Sequence, residues 1–209
     1  MNRTDIMNKL IKWKGFHSYL EVGVENPDLN FNRIVVDEKE CVDISPNAKA
    51  TYTMSSDEFF ATIPSEKKYD LIFVDAMHNE EFVDRDVTNS LKHLENGGII
   101  CIHDVIPISK AVAQKKTEYD FTVWNGDVYR SVVKLPASGL NYVTVLNNDF
   151  GLTILYDNDG KEKDLTKYKC AYEYEEIYND AGPDKVTELG KELLHLITED
   201  EFVKKFSES

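Results

Sequence analysis

The chain has 209 residues, 42% of them hydrophobic, and a net charge of −14, which is typical of one folded domain with a substantial core. Because Asp and Glu number 38 against 24 Lys and Arg, charge repulsion disfavours nucleic acid and anionic membranes as partners. The sequence shows no apolar signal segment and no stretch that could span a bilayer. Its three cysteines are widely spaced, so we expect a reduced, cytoplasmic protein.

The first half of the chain alternates short strands with helices. Residues 1–16 are predicted to form a helical lead-in, and residues 18–23, 40–43 and 50–54 are predicted strands. Ser55 begins a capping-box pattern and therefore predicts a helix that runs to Ile63. A fourth strand is predicted over residues 69–75, and its apolar stretch does not alternate with polar residues. This pattern indicates a strand with helices packed on both faces.

The pattern continues in the second half, with a helix over residues 80–94, a stop at Gly97-Gly98, and a fifth strand over residues 98–104. Residues 106–125 are predicted to be a loop or lid, and residues 127–135 a helix. Two strands over residues 142–146 and 152–156 are close enough to form an antiparallel hairpin at a sheet edge. Residues 157–209 are interpreted as a C-terminal extension with a helical segment over 183–206.

Strands that alternate with helices predict parallel crossover connections and a layered α/β sandwich. We therefore predict a Rossmann-like three-layer α/β fold that forms a single domain over residues 1–209. A homo-oligomer is compatible with this composition.

Ionisable side chains follow two apolar strands at the point where each strand ends. Asp75 and His78 come after the fourth strand, and His103 and Asp104 close the fifth. The carboxyl ends of strands in an open α/β sheet form the edge at which ligands bind. We expect the four side chains to converge there, as a metal site or as an acid/base site.

A nucleoside pocket is predicted at the end of the first two strands. Gly23 follows the first strand without the G-x-G-x-x-G pattern of dinucleotide-binding proteins, which disfavours a dehydrogenase. Asp43 ends the next strand, where doubly wound folds place a carboxylate on a ribose. Glu21 and Glu25 flank the glycine, and their charge favours a cationic ligand over a pyrophosphate. The ammonium and sulfonium groups of S-adenosylmethionine meet that requirement.

Several segments, in this order along the chain, resemble the class I S-adenosylmethionine-dependent methyltransferases, and more closely the small bacterial enzymes of glycan and natural-product pathways. The segments are YLEVG (19–23), CVD (41–43), SDEFF (56–60), YDLIFVDAMH (69–78), GGIICIHD (97–104), WNGDVY (124–129), DFG (149–151) and ELLHLI (192–197). The resemblance implies a mixed sheet of seven strands with helices on both faces.

The resemblance also implies roles for particular residues. Glu21 and Gly23 would lie near the methionine part of the cofactor, Asp43 on the ribose, and Asp75 beside the bound cofactor. Ser56 and Asp57 would lie near the adenine. In related sugar O-methyltransferases, residues that match Asp75, His103 and Asp104 hold a divalent cation such as magnesium or manganese, and the residue that matches His78 is a candidate base.

The chain departs from its relatives in two places. Its loop after Gly23 lacks the usual second glycine, and His103 stands where many relatives have an acidic residue. Asp75 and Asp104 offer oxygen ligands suited to magnesium, whereas an imidazole at position 103 suits manganese, iron or zinc better. Trp124 and Tyr129 border the predicted lid and are candidates for lining an acceptor pocket.

We therefore predict an S-adenosylmethionine-dependent methyltransferase that methylates a hydroxyl of a sugar or other polyhydroxylated small molecule, with or without a divalent metal. His78 and Asp75 are the predicted catalytic residues. Two alternatives stay open at this point. One is a non-catalytic protein that binds a nucleoside or S-adenosylmethionine, and the other is a metal-dependent hydroxylase-like relative on the same fold.

Overall fold

The computed structural model describes residues 1–114, 123–161, 163–180 and 185–207. One mixed sheet of eight strands has the order β3-β2-β1-β4-β5-β7-β6-β8. Its strands are β1 Ser18–Val22, β2 Glu38–Asp43, β3 Tyr52–Thr53, β4 Tyr69–Val74, β5 Leu94–His103, β6 Tyr142–Val145, β7 Leu152–Leu155 and β8 Leu196–Ile197. The Rossmann-like α/β prediction is confirmed, and the single domain over residues 1–209 stays a prediction.

Strands β1 to β5 run parallel, whereas β7 is antiparallel to both β5 and β6. The chain builds outward from β1 through β2 to β3, and then returns to place β4 on the other side of β1. The order of strands therefore reverses between β1 and β4. Such a switch point opens a crevice at the carboxyl ends of the two strands, which is where open α/β sheets bind ligands.

Helices cover both faces of the sheet. They are α1 Arg3–Lys14, α2 Ser56–Thr62, α3 Glu80–Lys92, α4 Tyr129–Val133, α5 Leu135–Ser138, α6 Tyr174–Ile177, α7 Glu188–Leu193 and α8 Glu199–Ser207. Short 3₁₀ turns occupy Phe31–Arg33, Pro46–Ala48 and Leu165–Lys167. Within the described ranges, no helix is long and apolar enough to cross a membrane.

Strand β4 shows why an apolar run without alternation was a useful signal. Leu71 and Phe73 belong to the core cluster on the α1 and α8 side, whereas Ile72 and Val74 belong to the cluster on the α3 side. Both faces of the strand are therefore buried from Leu71 to Val74, and this stretch has no solvent-facing position for a polar residue.

The C-terminal region corrects three predictions. Residues 196–197 lie within the predicted helix 183–206, but they form β8 and pair in parallel with Thr144 and Val145 of β6. The sheet therefore has eight strands, and the hairpin of β6 and β7 is not at its edge. Pairing with β8 satisfies backbone groups that β6 would otherwise leave exposed as an edge strand.

A further difference concerns the two glycines at positions 97 and 98. The sequence predicted that they stop helix α3, but the helix ends at Lys92 and both glycines lie inside β5. The register against β4 shifts at this point, between Tyr69 and Leu71. Glycine tolerates such an irregularity because it has no side chain to misplace.

The predicted loop over residues 106–125 is described only in part. Its residues 106–114 and 123–125 contain turns, bends and no regular strand or helix. Residues 115–122, which carry most of the predicted lid, lie outside the described residues, as do positions 183 and 184 of the predicted C-terminal helix.

Candidate active site

The carboxyl ends of β4 and β5 bring four ionisable side chains together, as the sequence predicted. Val74 pairs with Ile102, so Asp75 and His103 emerge side by side at the edge of the sheet. His78 and Asp104 lie beside them, and the closest ring-to-carboxylate distances in the group are 3.2 to 3.6 Å. We call Asp75, His78, His103 and Asp104 the carboxyl-end cluster.

His103 is fixed inside this cluster by both of its ring nitrogens. Its Nε2 lies 2.9 Å from the backbone oxygen of Asp149, and its Nδ1 lies 3.2 Å from Oδ1 of Asp75. A carbonyl oxygen and an ionised carboxylate can only accept, so both nitrogens donate and the ring is an imidazolium. Burial alone would lower the pKa of His103, but attraction to Asp75 and Asp104 raises it well above its ordinary value.

His78 bridges the two carboxylates from the loop after β4. Its Nδ1 lies 2.8 Å from the backbone oxygen of Trp124 and 3.3 Å from Oδ2 of Asp104, while Nε2 lies 3.4 Å from Oδ1 of Asp75. Burial works to lower the pKa of His78, but its interactions with Asp75 and Asp104 raise it to about 9. Because the carbonyl fixes a proton on Nδ1, the nitrogen that can lose its proton is Nε2.

Asp75 is a strongly stabilised anion. Burial by itself would raise its pKa, but the charge and hydrogen bond of the His103 ring, together with the His78 ring, hold the pKa well below its ordinary value. The carboxylate is therefore ionised across the physiological range, and it can orient an imidazole or a ligand cation.

Asp75, His78 and Asp104 offer potential metal-ligand atoms that all lie within 4.8 Å of one another. Two carboxylate oxygens and one imidazole nitrogen are a donor set suited to a divalent cation such as Mn²⁺. His103, which the sequence predicted as a ligand, is not part of this set; it lies next to it as an imidazolium, a form with no lone pair to give.

Sequence reasoning missed two residues that complete this site. Asp149, in the loop between β6 and β7, lies with Oδ1 3.6 Å from Nε2 of His103. Arg3 at the start of α1 donates to both oxygens of Asp149, at 3.0 and 3.1 Å, and its Nε lies 3.9 Å from Oδ2 of Asp75. Because β7 is antiparallel to β5, the start of β7 must lie at the same edge of the sheet as the end of β5. The predicted hairpin could therefore have pointed to Asp149. We find no sequence signal that would have pointed to Arg3.

Gly23 and Asp43 extend the edge across the switch point. Gly23 has a φ of +86°, and a Cβ there would lie 2.3 Å from Cα of Ala76, so the turn after β1 packs directly against the end of β4. Asp43 accepts hydrogen bonds from the backbone N–H groups of Val24 and Glu25 at 2.8 and 2.9 Å. Its carboxylate thus holds the shape of the turn that faces the crevice.

Glu21 lies on the α1 side of β1 and is only 2% exposed. Its Oε2 accepts hydrogen bonds from the Tyr19 hydroxyl at 2.6 Å and from Nδ2 of Asn30 at 2.9 Å. Asn30 in turn binds Thr4 of α1. Burial raises the pKa of Glu21 to about 7, against the hydrogen bonds that lower it. The contacts described for this residue tie α1 and the loop after Gly23 to the sheet.

Ser56 and Asp57 occupy the first turn of α2, as predicted. The structure does not place them in the carboxyl-end cluster: Asp57 pairs with Arg85 at 3.1 Å, and Ser56 interacts with the buried Asp86 of α3. Their predicted contact with an adenine stays a prediction.

The two aromatic candidates near the lid differ in position. The ring of Trp124 lies 5.3 Å from the ring of His78 and so borders the cluster. Tyr129 is buried and packs edge-on against Tyr174 and Tyr178. This packing favours a structural role for Tyr129.

The fold of this chain is shared with solved structures of other proteins. Solved structures with the same fold include a candidate caffeoyl-CoA O-methyltransferase from Staphylococcus aureus, with 20% identity, a TM-score of 0.53 and coverage of 73% of this chain and 81% of that one. Another is an O-methyltransferase from Bacillus cereus in complex with S-adenosylhomocysteine, with 15% identity, a TM-score of 0.51 and coverage of 75% and 82%.

Residues 19–105, which contain β1 to β5 and the carboxyl-end cluster, match the family model described as a methyltransferase domain. The match supports the resemblance to the class I S-adenosylmethionine-dependent methyltransferases over this part of the chain, and the solved structures share its fold. Comparison with proteins of curated function gives no significant match.

Proposed function

We propose that this protein transfers the methyl group of S-adenosylmethionine to a hydroxyl oxygen of a sugar or other polyhydroxylated small molecule. The observation that carries the proposal is the placement of the His78 imidazole between two carboxylates, in the loop after β4 that packs against Gly23 through Asp75 and Ala76. A base at this position suits an acceptor that must lose a proton as it is methylated.

The residues around the switch point fit the cofactor. Asp43 presents a carboxylate at the end of β2, where a ribose would bind, and the neighbouring side chain of Ile44 is 74% exposed. An apolar group exposed next to such a carboxylate is suited to cover a nucleobase. Glu25 adds negative charge that favours a sulfonium. The bound S-adenosylhomocysteine in the structurally similar Bacillus cereus enzyme supports this choice.

The chemistry requires alignment and the removal of one proton. When bound, S-adenosylmethionine supplies the methyl group, which passes from sulfur to the acceptor oxygen with its bonding electrons left on the sulfur. The chain holds the acceptor in line, which supplies much of the acceleration. Nε2 of His78 takes the hydroxyl proton while Nδ1 stays bonded to the Trp124 carbonyl. This role needs the neutral ring, whose fraction increases as the pH approaches about 9.

A divalent cation is a second feature of the proposal. Asp75, His78 and Asp104 would hold it, and it would lower the pKa of a coordinated hydroxyl. Magnesium suits the two carboxylates, and manganese suits the set that includes the imidazole. Nε2 of His78 cannot be a ligand and a base at the same moment, so replacement of His78 by Gln distinguishes the roles: Mn²⁺ affinity falls only if His78 is a ligand.

The roles of His78 and Asp43 can be separated by experiment. We expect His78→Ala to lower turnover by about 10²–10⁴-fold while the affinity for S-adenosylhomocysteine, measured by calorimetry, changes little. Asp43→Ala should instead weaken that affinity by about 10-fold or more, because it removes both the ribose contact and two hydrogen bonds of the turn.

Turnover is measured as S-adenosylhomocysteine released with a panel of sugars and polyols. Asp37→Ala is a matched control, since this exposed carboxylate lies at the opposite end of β2 and pairs with His17. If His78→Ala and Asp43→Ala lower turnover and affinity in the same proportion, the assignment of roles is wrong. The acceptor, the cation, a homo-oligomer and the cytoplasmic location stay predictions.

A further inference from the structure

Four successive residues, Trp124 to Asp127, contact His78 and Asp104 from outside the sheet. The Trp124 carbonyl accepts from the His78 ring at 2.8 Å, and the Asp127 N–H donates to the His78 carbonyl at 3.2 Å. Gly126 approaches so closely that a Cβ there would lie 1.7 Å from the same carbonyl oxygen. We call residues 124–127 the clamp segment.

Within the clamp segment, Asn125 contacts the carboxylate of Asp104. Its Nδ2 donates to Oδ1 of Asp104 at 2.6 Å, and both side chains are buried. The backbone N–H groups of Asn125 and Gly126 both donate to the carbonyl of Val112, which fixes the direction of the segment. These two bonds hold the backbone of Asn125 without any contribution from Asp104.

Asp104 has a left-handed backbone conformation, and the hydrogen bond from Asn125 helps to hold its side chain. Its φ is +59°, a conformation that costs a residue other than glycine about 1 kcal/mol. With Oδ1 bound by Asn125, the second oxygen, Oδ2, lies 3.3 Å from Nδ1 of His78 and 3.6 Å from Nδ1 of His103. The amide thus decides which oxygen faces the two rings.

The energetic balance at Asn125 indicates a role beyond stability. Its side chain is 1% exposed, and its amide oxygen is buried without a hydrogen-bond partner among the described residues. An unpaired buried carbonyl oxygen costs about 1–3 kcal/mol. An apolar residue would avoid this cost, so the N–H group that reaches Asp104 is the part of the side chain that the site uses.

We propose that Asn125 is a positioning residue of the active site, which holds one oxygen of Asp104 so that the other faces His78. This inference rests on the proposed function in one respect only, namely that His78 and Asp104 act on the acceptor. The orientation of Asp104 itself can be measured without any acceptor, cofactor or metal.

The test compares Asn125→Ala with wild type by NMR of the full chain labelled at histidine. We expect the imidazole nitrogen signals of His78 to shift, because the released Asp104 carboxylate rotates relative to the ring. Asn158→Ala is the matched control: Asn158 is 3% exposed, and its amide makes part-buried hydrogen bonds that go to the backbone of Asn141. Asn125→Ser serves as a second variant if the alanine form does not fold.

Unchanged His78 signals in the Asn125 variants would overturn the inference, as would equal shifts in the Asn158 control. A second measurement uses Mn²⁺ alone: we expect about 10-fold weaker binding in Asn125→Ala and no further loss when Asn125→Ala is added to Asp104→Asn. Additive losses would mean that Asn125 does not act through Asp104. If wild type binds no Mn²⁺, the cation role proposed above fails, and the NMR comparison still decides the role of Asn125.

Discussion

Glu21 is a residue whose predicted contacts differ from the contacts that the structure describes. Its place before Gly23 favoured contact with the cofactor, whereas the structure buries it against Tyr19 and Asn30. The strand period of two explains the difference, because residues 19 and 21 point to the same face as Phe73, towards α1. The alternation was readable in the sequence, but the side of the sheet that α1 would cover was not.

Glu21 also gives a prediction about pH and stability. Its pKa is about 7 in the folded chain against an ordinary 4.5, so the folded state binds the proton more tightly than the unfolded state. The free energy of unfolding should therefore fall as the pH rises from about 4.5 to 7, by on the order of 3 kcal/mol from this residue.

Glu21→Gln removes the titrating group and keeps an oxygen that can accept from Tyr19 and Asn30. Urea unfolding at a series of pH values should show wild type losing stability relative to the variant across this window. Parallel curves for the two proteins would show that burial of this carboxyl does not contribute to the pH dependence.

Among the elements, the helices with strong local signals were predicted best. Ser55 caps α2 by accepting from the N–H of Glu58, and its capping pattern was visible in the sequence. The segment over 183–206 was predicted as one helical unit, but α7 and α8 are separated by β8. Pairing with β6 determined this outcome, and no local pattern reports a partner strand that lies 50 residues away.

The clamp segment leads to a prediction at the same scale. Gly126→Ala should lower the free energy of unfolding by more than about 2 kcal/mol and reduce turnover, because both the positive φ and the contact with the His78 carbonyl resist a Cβ. Denaturant unfolding and product formation measure the two effects.

Gly139→Ala is the matched control, since Gly139 also has a positive φ, of +73°, but a Cβ there meets nothing within 4 Å. The difference between the two variants isolates the clash at His78 from the cost of the backbone conformation. Equal losses in both variants would contradict a specific role for the clamp segment.

At the scale of the whole molecule, the net charge of −14 acts on the compact state through self-repulsion. Raising the ionic strength from about 0.01 M to about 0.15 M shortens the Debye length from about 30 Å to about 8 Å. We expect the melting temperature to rise by about 2–4 °C as roughly 1 kcal/mol of repulsion is screened. The rise should vanish at a pH where protonation brings the net charge close to zero; a fall at neutral pH would show that attractive ion pairs dominate.

The sequence by itself determined the α/β class, the parallel strands β1 to β5 and the convergence of Asp75, His78, His103 and Asp104, because apolar runs, turn residues and strand ends are local properties of the chain. Only the tertiary structure decided that β8 covers β6, that Asp149 and Arg3 enclose His103, and that Asn125 binds Asp104. These contacts join segments that are 20 to 150 residues apart, and their geometry depends on how the helices pack on the finished sheet. The protonated state of the two imidazoles follows from that packing as well, since it brings three carboxylates around them.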